Sequence, residues 1–199
     1  MTCAILGGGA RCSRARSPAA QDEFEGVEVS MVRTLELRDV RMFATAIDLP
    51  EEARQELVSL LNQQLADSLD LYSQAKHAHW NVKGMNFFQL HKLFDELAEM
   101  LEEFVDVIAE RATALGGTAL GTIRMASVAS SLPDMPPEVF EEKDVLQAVI
   151  ERVAAYAASA RHAIERAEQL DDMATNDLFI DVTRGADKFL YLLESHVQG

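Results

Sequence analysis

The sequence predicts an all-α protein, a bundle of four long helices with one long crossover that holds a short extra helix. Three observations predict it. Four stretches place apolar residues at every third or fourth position, no segment alternates with period two for long enough to make a strand, and the long break falls between the second and third stretches.

The first helix, A, begins at Pro50, where Asp48, Pro50 and Glu51 form an N-terminal signal. Leu57, Leu61, Leu65, Ser68, Tyr72, Ala75 and His79 follow on one face, and the helix is expected to end near Lys83-Gly84. Helix B starts near Asn86, contains no proline and runs to Gly116-Gly117, a paired-glycine stop. Residues 117–142 form the connection, in which TIRMASVASS predicts a short helix before Pro133, Pro136 and Pro137. A connection this long usually serves a purpose. Helix C carries Val145, Val149, Val153, Tyr156, Ala160, Ile164 and Ala167, and helix D carries Leu178, Val182, Ala186, Phe189, Leu193 and Val197. A long link between the second and third helices is ferritin-like wiring, not a simple up-and-down bundle.

Residues 1–43 predict a flexible extension, because MTCAILGGGARCSRARSPAAQDEFEGV is rich in Gly, Ser, Ala and Arg and has no period. Residues 44–199 predict one folded domain, with 48% hydrophobic content across the chain. Apolar runs fall well short of the ~20 residues of a membrane span, and no signal-peptide pattern opens the chain, so a cytoplasmic protein is expected. Cys3 and Cys12 lie far from every histidine and suggest neither a disulfide framework nor a metal motif. Residues 1–41 balance six Arg against six acids, so the net charge of −15 belongs to the remainder. That acidic surface repels nucleic-acid phosphates and attracts cations.

Chemistry concentrates on helix B. With His91 at zero and ~100° per residue, Leu90, Leu93, Phe94, Leu97, Leu101, Phe104, Val105, Ile108 and Leu115 fall between about 200° and 320°, the core face. His91, Asp95, Glu99, Glu102, Asp106 and Glu110 fall between about 0° and 100°. A solvated face explains such a stripe in part. Two features favour a metal: His91–Asp95 and Asp106–Glu110 are i, i+4 pairs able to converge on an ion, and stacked acids without intervening Lys or Arg repel. Mixed imidazole and carboxylate donors suit Fe(II), Mn(II) or Zn(II), with redox-active iron preferred. Asp95 and Asp106, however, are separated by ~16 Å along the helix. One ion cannot join them within a chain, so if both pairs serve one site they come from two antiparallel copies of helix B across a twofold axis. No histidine has Glu three residues before it, which disfavours a site inside each bundle.

The segments AKHAHWNVKGMNFFQLHKLFDEL and DVIAERATALGGTALGT, with IDLPEEAR before and DKFLYLLESH after them, resemble the Dps family, the mini-ferritins also called DNA-binding proteins from starved cells. The resemblance spans roughly residues 44 to 198. It implies a hollow dodecamer of four-helix subunits that oxidises Fe(II), preferably with hydrogen peroxide, or with oxygen, and stores ferric mineral, protecting DNA. Carried over, the ferroxidase ligands are His79, His91 and Asp95 of one subunit with Asp106 and Glu110 of its twofold mate. Trp80 matches a tryptophan beside the family's iron site, either an electron donor or a packed aromatic. Asp172 and Asp177 match threefold iron-entry pores, Asp177 better; together with Asp171 they also suit a helix start, where the dipole favours acids. His77, His162 and His196 stay outside the expected site.

The chain departs from the family in its tail, which lacks the lysines that often bind DNA. Three Arg and no acid in the first twenty residues predict weak, salt-sensitive DNA binding or none. The alternative reading is a nucleoid-associated DNA-binding protein whose metal site is secondary.

Overall fold

A computed structural model describes residues 41–198. The chain forms α1 (Glu51–Asn81), α2 (Phe87–Ala114), α3 (Ile123–Ala129), α4 (Glu142–Gln169) and α5 (Met173–Glu194). The four long helices are those expected, and α3 is the short helix of the crossover. Among the described residues there is no strand, only an isolated bridge between Lys83 and Glu141. Residues 1–40, most of the expected extension, lie outside the described part. Of its last residues, Phe43 donates its N–H to the Gly116 carbonyl at 2.6 Å.

The helix ends follow local chemistry. At the start of α1 it is Pro50, not Asp48, that occupies the cap position, and no side chain caps it. Glu51 and Glu52 sit in the first turn, where the helix dipole favours negative charge. The other end of α1 closes at Asn81, two residues before the expected Lys83, and Gly84 takes a φ of 152° in the turn that follows. A side chain at Gly84 would run into the Glu142 carboxylate, which itself accepts the Asn86 N–H at 3.0 Å. α2 stops where the paired glycines foretold: Gly116, with φ 87°, and Gly117 turn their N–H groups back to Thr113 and Ala112.

α1 pairs chiefly with α2 and α4 with α5, while α1 also packs on α4 and α3 and α2 on α5. The short turn 82–86 makes α1 and α2 an antiparallel hairpin. Leu57, Leu61, Leu65, Phe94, Leu97, Leu101, Tyr156 and Phe179 are all fully buried between the helices. Each such side chain contributes roughly 1.5–3 kcal/mol by leaving water. Gly185 lets α5 approach α2 closely, since a Cβ there would meet Phe104 at 2.8 Å and Met100 at 2.9 Å. Val197 is the exception to the predicted stripe: it lies beyond the end of α5 and is 41% exposed.

The long crossover is fastened by polar groups on the buried side of α1. Asn62 donates to the Thr118 carbonyl at 3.1 Å and accepts the Leu120 N–H at 2.8 Å. Asp67, fully buried, accepts the Ser131 N–H at 2.7 Å and a Gln63 amide hydrogen at 3.1 Å. Burial pushes the Asp67 carboxyl above its ordinary range, against the lowering effect of these donors. Gln74 holds the Pro133 carbonyl at 3.1 Å and is held in turn by the buried Arg152 at 3.0 Å. These bonds replace water for groups that would otherwise be buried unsatisfied, at a cost of about 1–3 kcal/mol each.

Candidate metal centre

The 82–86 turn sets the last turn of α1 beside the opening turns of α2, and there His79 and His91 meet. Their rings stack with centroids 3.7 Å apart, and Phe87 lies against the other side of His91 at 5.2 Å. Each ring makes a hydrogen bond to the other residue's backbone: His79 Nδ1 to the His91 carbonyl at 2.7 Å, and His91 Nδ1 to the His79 carbonyl at 2.9 Å. A carbonyl accepts only, so each Nδ1 must carry the hydrogen. Each Nε2 is then left with its lone pair, the form of imidazole that ligates a metal. The His79 carbonyl belongs to the last turn of α1, whose carbonyls lack partners within the helix, so the His91 ring also helps finish that helix.

Asp95 follows His91 by one turn of α2, and its Oδ1 stands 3.7 Å from His79 Nδ1. The same oxygen accepts the Lys76 ammonium at 2.6 Å. This hydrogen bond from Lys76, with the charge of its ammonium, holds the Asp95 carboxyl below its ordinary value against desolvation. His79 is 9% exposed, whereas His91 and Asp95 are half-buried, so the three form a shallow, one-sided cluster.

Asp106 and Glu110 are exposed on the same helix α2. Their positions lie ~16 Å and ~22 Å further along its axis than Asp95 at ~1.5 Å per residue. One chain therefore brings together three of the five expected ligands and keeps the other two apart. Among the described residues, no three His, Cys, Asp or Glu side chains of a single chain are arranged to hold a metal ion.

Trp80 is 64% exposed, so within the chain it is not a packed core aromatic. Lys76 Nζ lies 6.0 Å from its ring centre. Sequence reasoning passed over Lys76. Its signal was the spacing: three residues before His79 and four before Trp80, on the face of α1 that meets α2. His77 is half-buried, and His162 and His196 are exposed away from the cluster.

Asp172 is engaged inside the chain. It is 4% exposed and caps α5, accepting the Ala174 and Thr175 N–H groups at 3.2 Å each. Both its oxygens also accept Arg111 Nη2, at 2.9 and 2.8 Å. Burial opposes its charge, yet the Thr175 and Arg111 bonds outweigh burial and hold the carboxyl below its ordinary value. A carboxylate so fully engaged has no lone pair to offer an ion in a pore. Asp177 is exposed, one turn further on, and Asp171 takes the left-handed conformation at φ 57° just before the cap.

The fold and this cluster place the chain in a class. The ferritin-like domain family matches residues 58–199. Within it, the chain is 40% identical over 154 residues to a DNA protection during starvation protein of Agrobacterium fabrum, covering 77% of this chain and 95% of that one. Among solved structures, DpsC from Streptomyces coelicolor is similar with a TM-score of 0.76 and 30% identity, covering 82% of this chain and 95% of its own. A Dps protein from Bacillus brevis is similar with a TM-score of 0.71 and 28% identity, covering 74% and 98%. The chain belongs to the Dps family of ferritin-like proteins. No helix among the described residues is long and apolar enough to cross a membrane.

Proposed function

We propose that this protein is a mini-ferritin that oxidises Fe(II), preferably with hydrogen peroxide, at sites shared between twofold-related subunits. The ferric product is stored in the cavity of a homododecamer in the cytoplasm, which protects DNA from oxidative damage. The observation that carries the reading is the reciprocal bonding of His79 and His91, which leaves each Nε2 its lone pair, with the Asp95 carboxylate 3.7 Å from His79 Nδ1. Asp106 and Glu110 of a second copy complete the donor set. Iron is the substrate: two ferrous ions give up one electron each, and the peroxide that takes both electrons and two protons leaves as two waters.

Supporting the shared site, the segment that joins His79 to His91 carries large apolar side chains left uncovered in one chain: Trp80 is 64%, Met85 95% and Phe88 64% exposed. Large apolar side chains gathered in one place mark a surface that another protein covers. Asp177 is the residue proposed to line an iron-entry pore, without Asp172. DNA binding is weak or absent, because the acidic folded part repels phosphate.

Fe(II) oxidation by peroxide, followed by the appearance of ferric absorbance, tests the reading. His79→Ala with Asp106→Ala should slow it by more than about tenfold; a wild-type rate in that double variant sinks the proposal. A low-salt gel shift separates the alternative, a DNA-compacting protein with a secondary metal site. Strong retardation lost on deleting residues 1–41 favours that alternative.

A further inference from the structure

The ligand set leaves Lys76 without a part, although its position is specific. Its ammonium lies 2.6 Å from Asp95 Oδ1, the oxygen that also faces His79 Nδ1 at 3.7 Å. The same ammonium lies 6.0 Å from the ring centre of Trp80, one turn along α1. One long-stemmed cation therefore bonds a carboxylate of the proposed centre within reach of the Trp80 indole, and it joins α1 to α2 at that point. The Lys76 side chain is 22% exposed, so solvent screens this pair only in part.

A metal ion ligated by Asp95 Oδ1 would sit ~2 Å from it. The ammonium already takes up part of that oxygen's acceptor capacity. Two cations crowded onto one carboxylate oxygen repel strongly where water is partly excluded. The lysine stem has four rotatable carbons and can swing its head toward solvent or across the Trp80 face, whereas Asp95 is fixed on α2.

Resting on the shared-site reading above, we propose that Lys76 stands in for the metal: it orients Asp95 before metal binds and is displaced from Asp95 Oδ1 by the incoming divalent cation. Occupancy of the centre then changes the position of positive charge relative to Trp80. Lys76 is a positioning residue in this scheme. It keeps the carboxylate pointed at the histidines and lowers the affinity for the ion that replaces it. Trp80 is the single tryptophan of the chain, so its emission reports the exchange without interference.

The test uses the full-length assembled protein and Zn(II), which has no redox chemistry, with binding followed by calorimetry and by Trp80 fluorescence. Lys76→Gln keeps the helix and removes the charge; Lys76→Arg keeps the charge; gel filtration checks that each variant assembles as wild type does. In wild type, Zn(II) should change Trp80 emission as the centre fills. Lys76→Gln should bind Zn(II) about fivefold more tightly, the loss of a partly exposed ion pair as competitor. Its emission before metal should already differ from wild type and change little on binding, while Lys76→Arg should keep the wild-type affinity. Equal or weaker Zn(II) binding by assembled Lys76→Gln, or an equal gain in Lys76→Arg, overturns the role of Lys76 and leaves the shared site standing. Zn(II) binding by wild type no stronger than by the His79→Ala, Asp106→Ala variant overturns the site itself.

Discussion

The two ends of α2 carry polar clusters of opposite character. At its C-terminal end, Arg111 gives Nε to Thr175 Oγ1 at 2.9 Å and Nη2 to both oxygens of Asp172, while Thr175 donates its hydroxyl back to Asp172. Arg111, Thr175 and Asp172 spend these groups on one another inside the chain. At its N-terminal end, His79 and His91 each spend one ring nitrogen and keep the other, and Asp95 is held by one lysine. A cluster that satisfies itself is part of the fold. One that keeps lone pairs in reserve is placed to bind something, and inspection of residue types alone does not separate the two.

The largest expected effect breaks the self-satisfied end. Asp172→Ala removes the α5 cap and strands Arg111, and should cost about 3 kcal/mol in denaturant unfolding, while leaving Zn(II) binding intact. If metal binding disappeared from a folded Asp172→Ala protein, the contrast between the two ends would collapse. The reserved end should behave the other way round. His91→Ala removes a stacked ring and should cost only about 1 kcal/mol of stability, with metal binding and iron oxidation lost.

Two buried aspartates sharpen the comparison through pH. Asp172 has its carboxyl lowered, so its stabilisation is complete above the ordinary value of 3.8 and is lost as pH falls through its lower folded value. Asp67 has its carboxyl raised, so its charge costs stability at neutral pH. That cost is relieved as pH falls through the raised value toward 3.8. Asp67→Asn should therefore stay within about 1 kcal/mol of wild type at neutral pH, and wild type should gain on it as the solution is acidified toward that range. Unfolding midpoints across a pH series check both signs; a gap that moves toward Asp67→Asn on acidification refutes the assignment. The smallest effect belongs to Asp177→Asn, which should alter stability by no more than about 0.5 kcal/mol yet slow iron uptake by the assembled protein. Unchanged uptake removes Asp177 from the proposed pore.

Much of this was legible in the sequence. The apolar stripe of helix B, from Leu90 through Phe94, Leu97 and Leu101 to Ile108, is buried as its period required. The paired glycines end α2 because Gly116 adopts a backbone conformation that side chains disfavour. The separation of Asp95 from Asp106 is equally a property of the sequence, fixed once the segment is helical. Less legible were the roles of single polar residues. Asp172 and Asp177 look alike in sequence, one turn apart, yet only the first faces Arg111, 61 positions away in the chain. Asn62, Asp67 and Gln74 hold the crossover through Thr118, Ser131 and Pro133, partners that helix periodicity does not reveal.

The sequence by itself determined the helices, the face each buries and the distance along α2 that separates Asp95 from Asp106, because these follow from local periodicity and a fixed rise per residue. The tertiary structure decided which polar side chains are consumed and which stay available. It stacked His79 on His91, turned both Nδ1 atoms onto carbonyls, set Lys76 on Asp95 and closed Asp172 into a cap. Those outcomes depend on distances between residues remote in the chain, and a hydrogen bond is made or lost within a few tenths of an ångström.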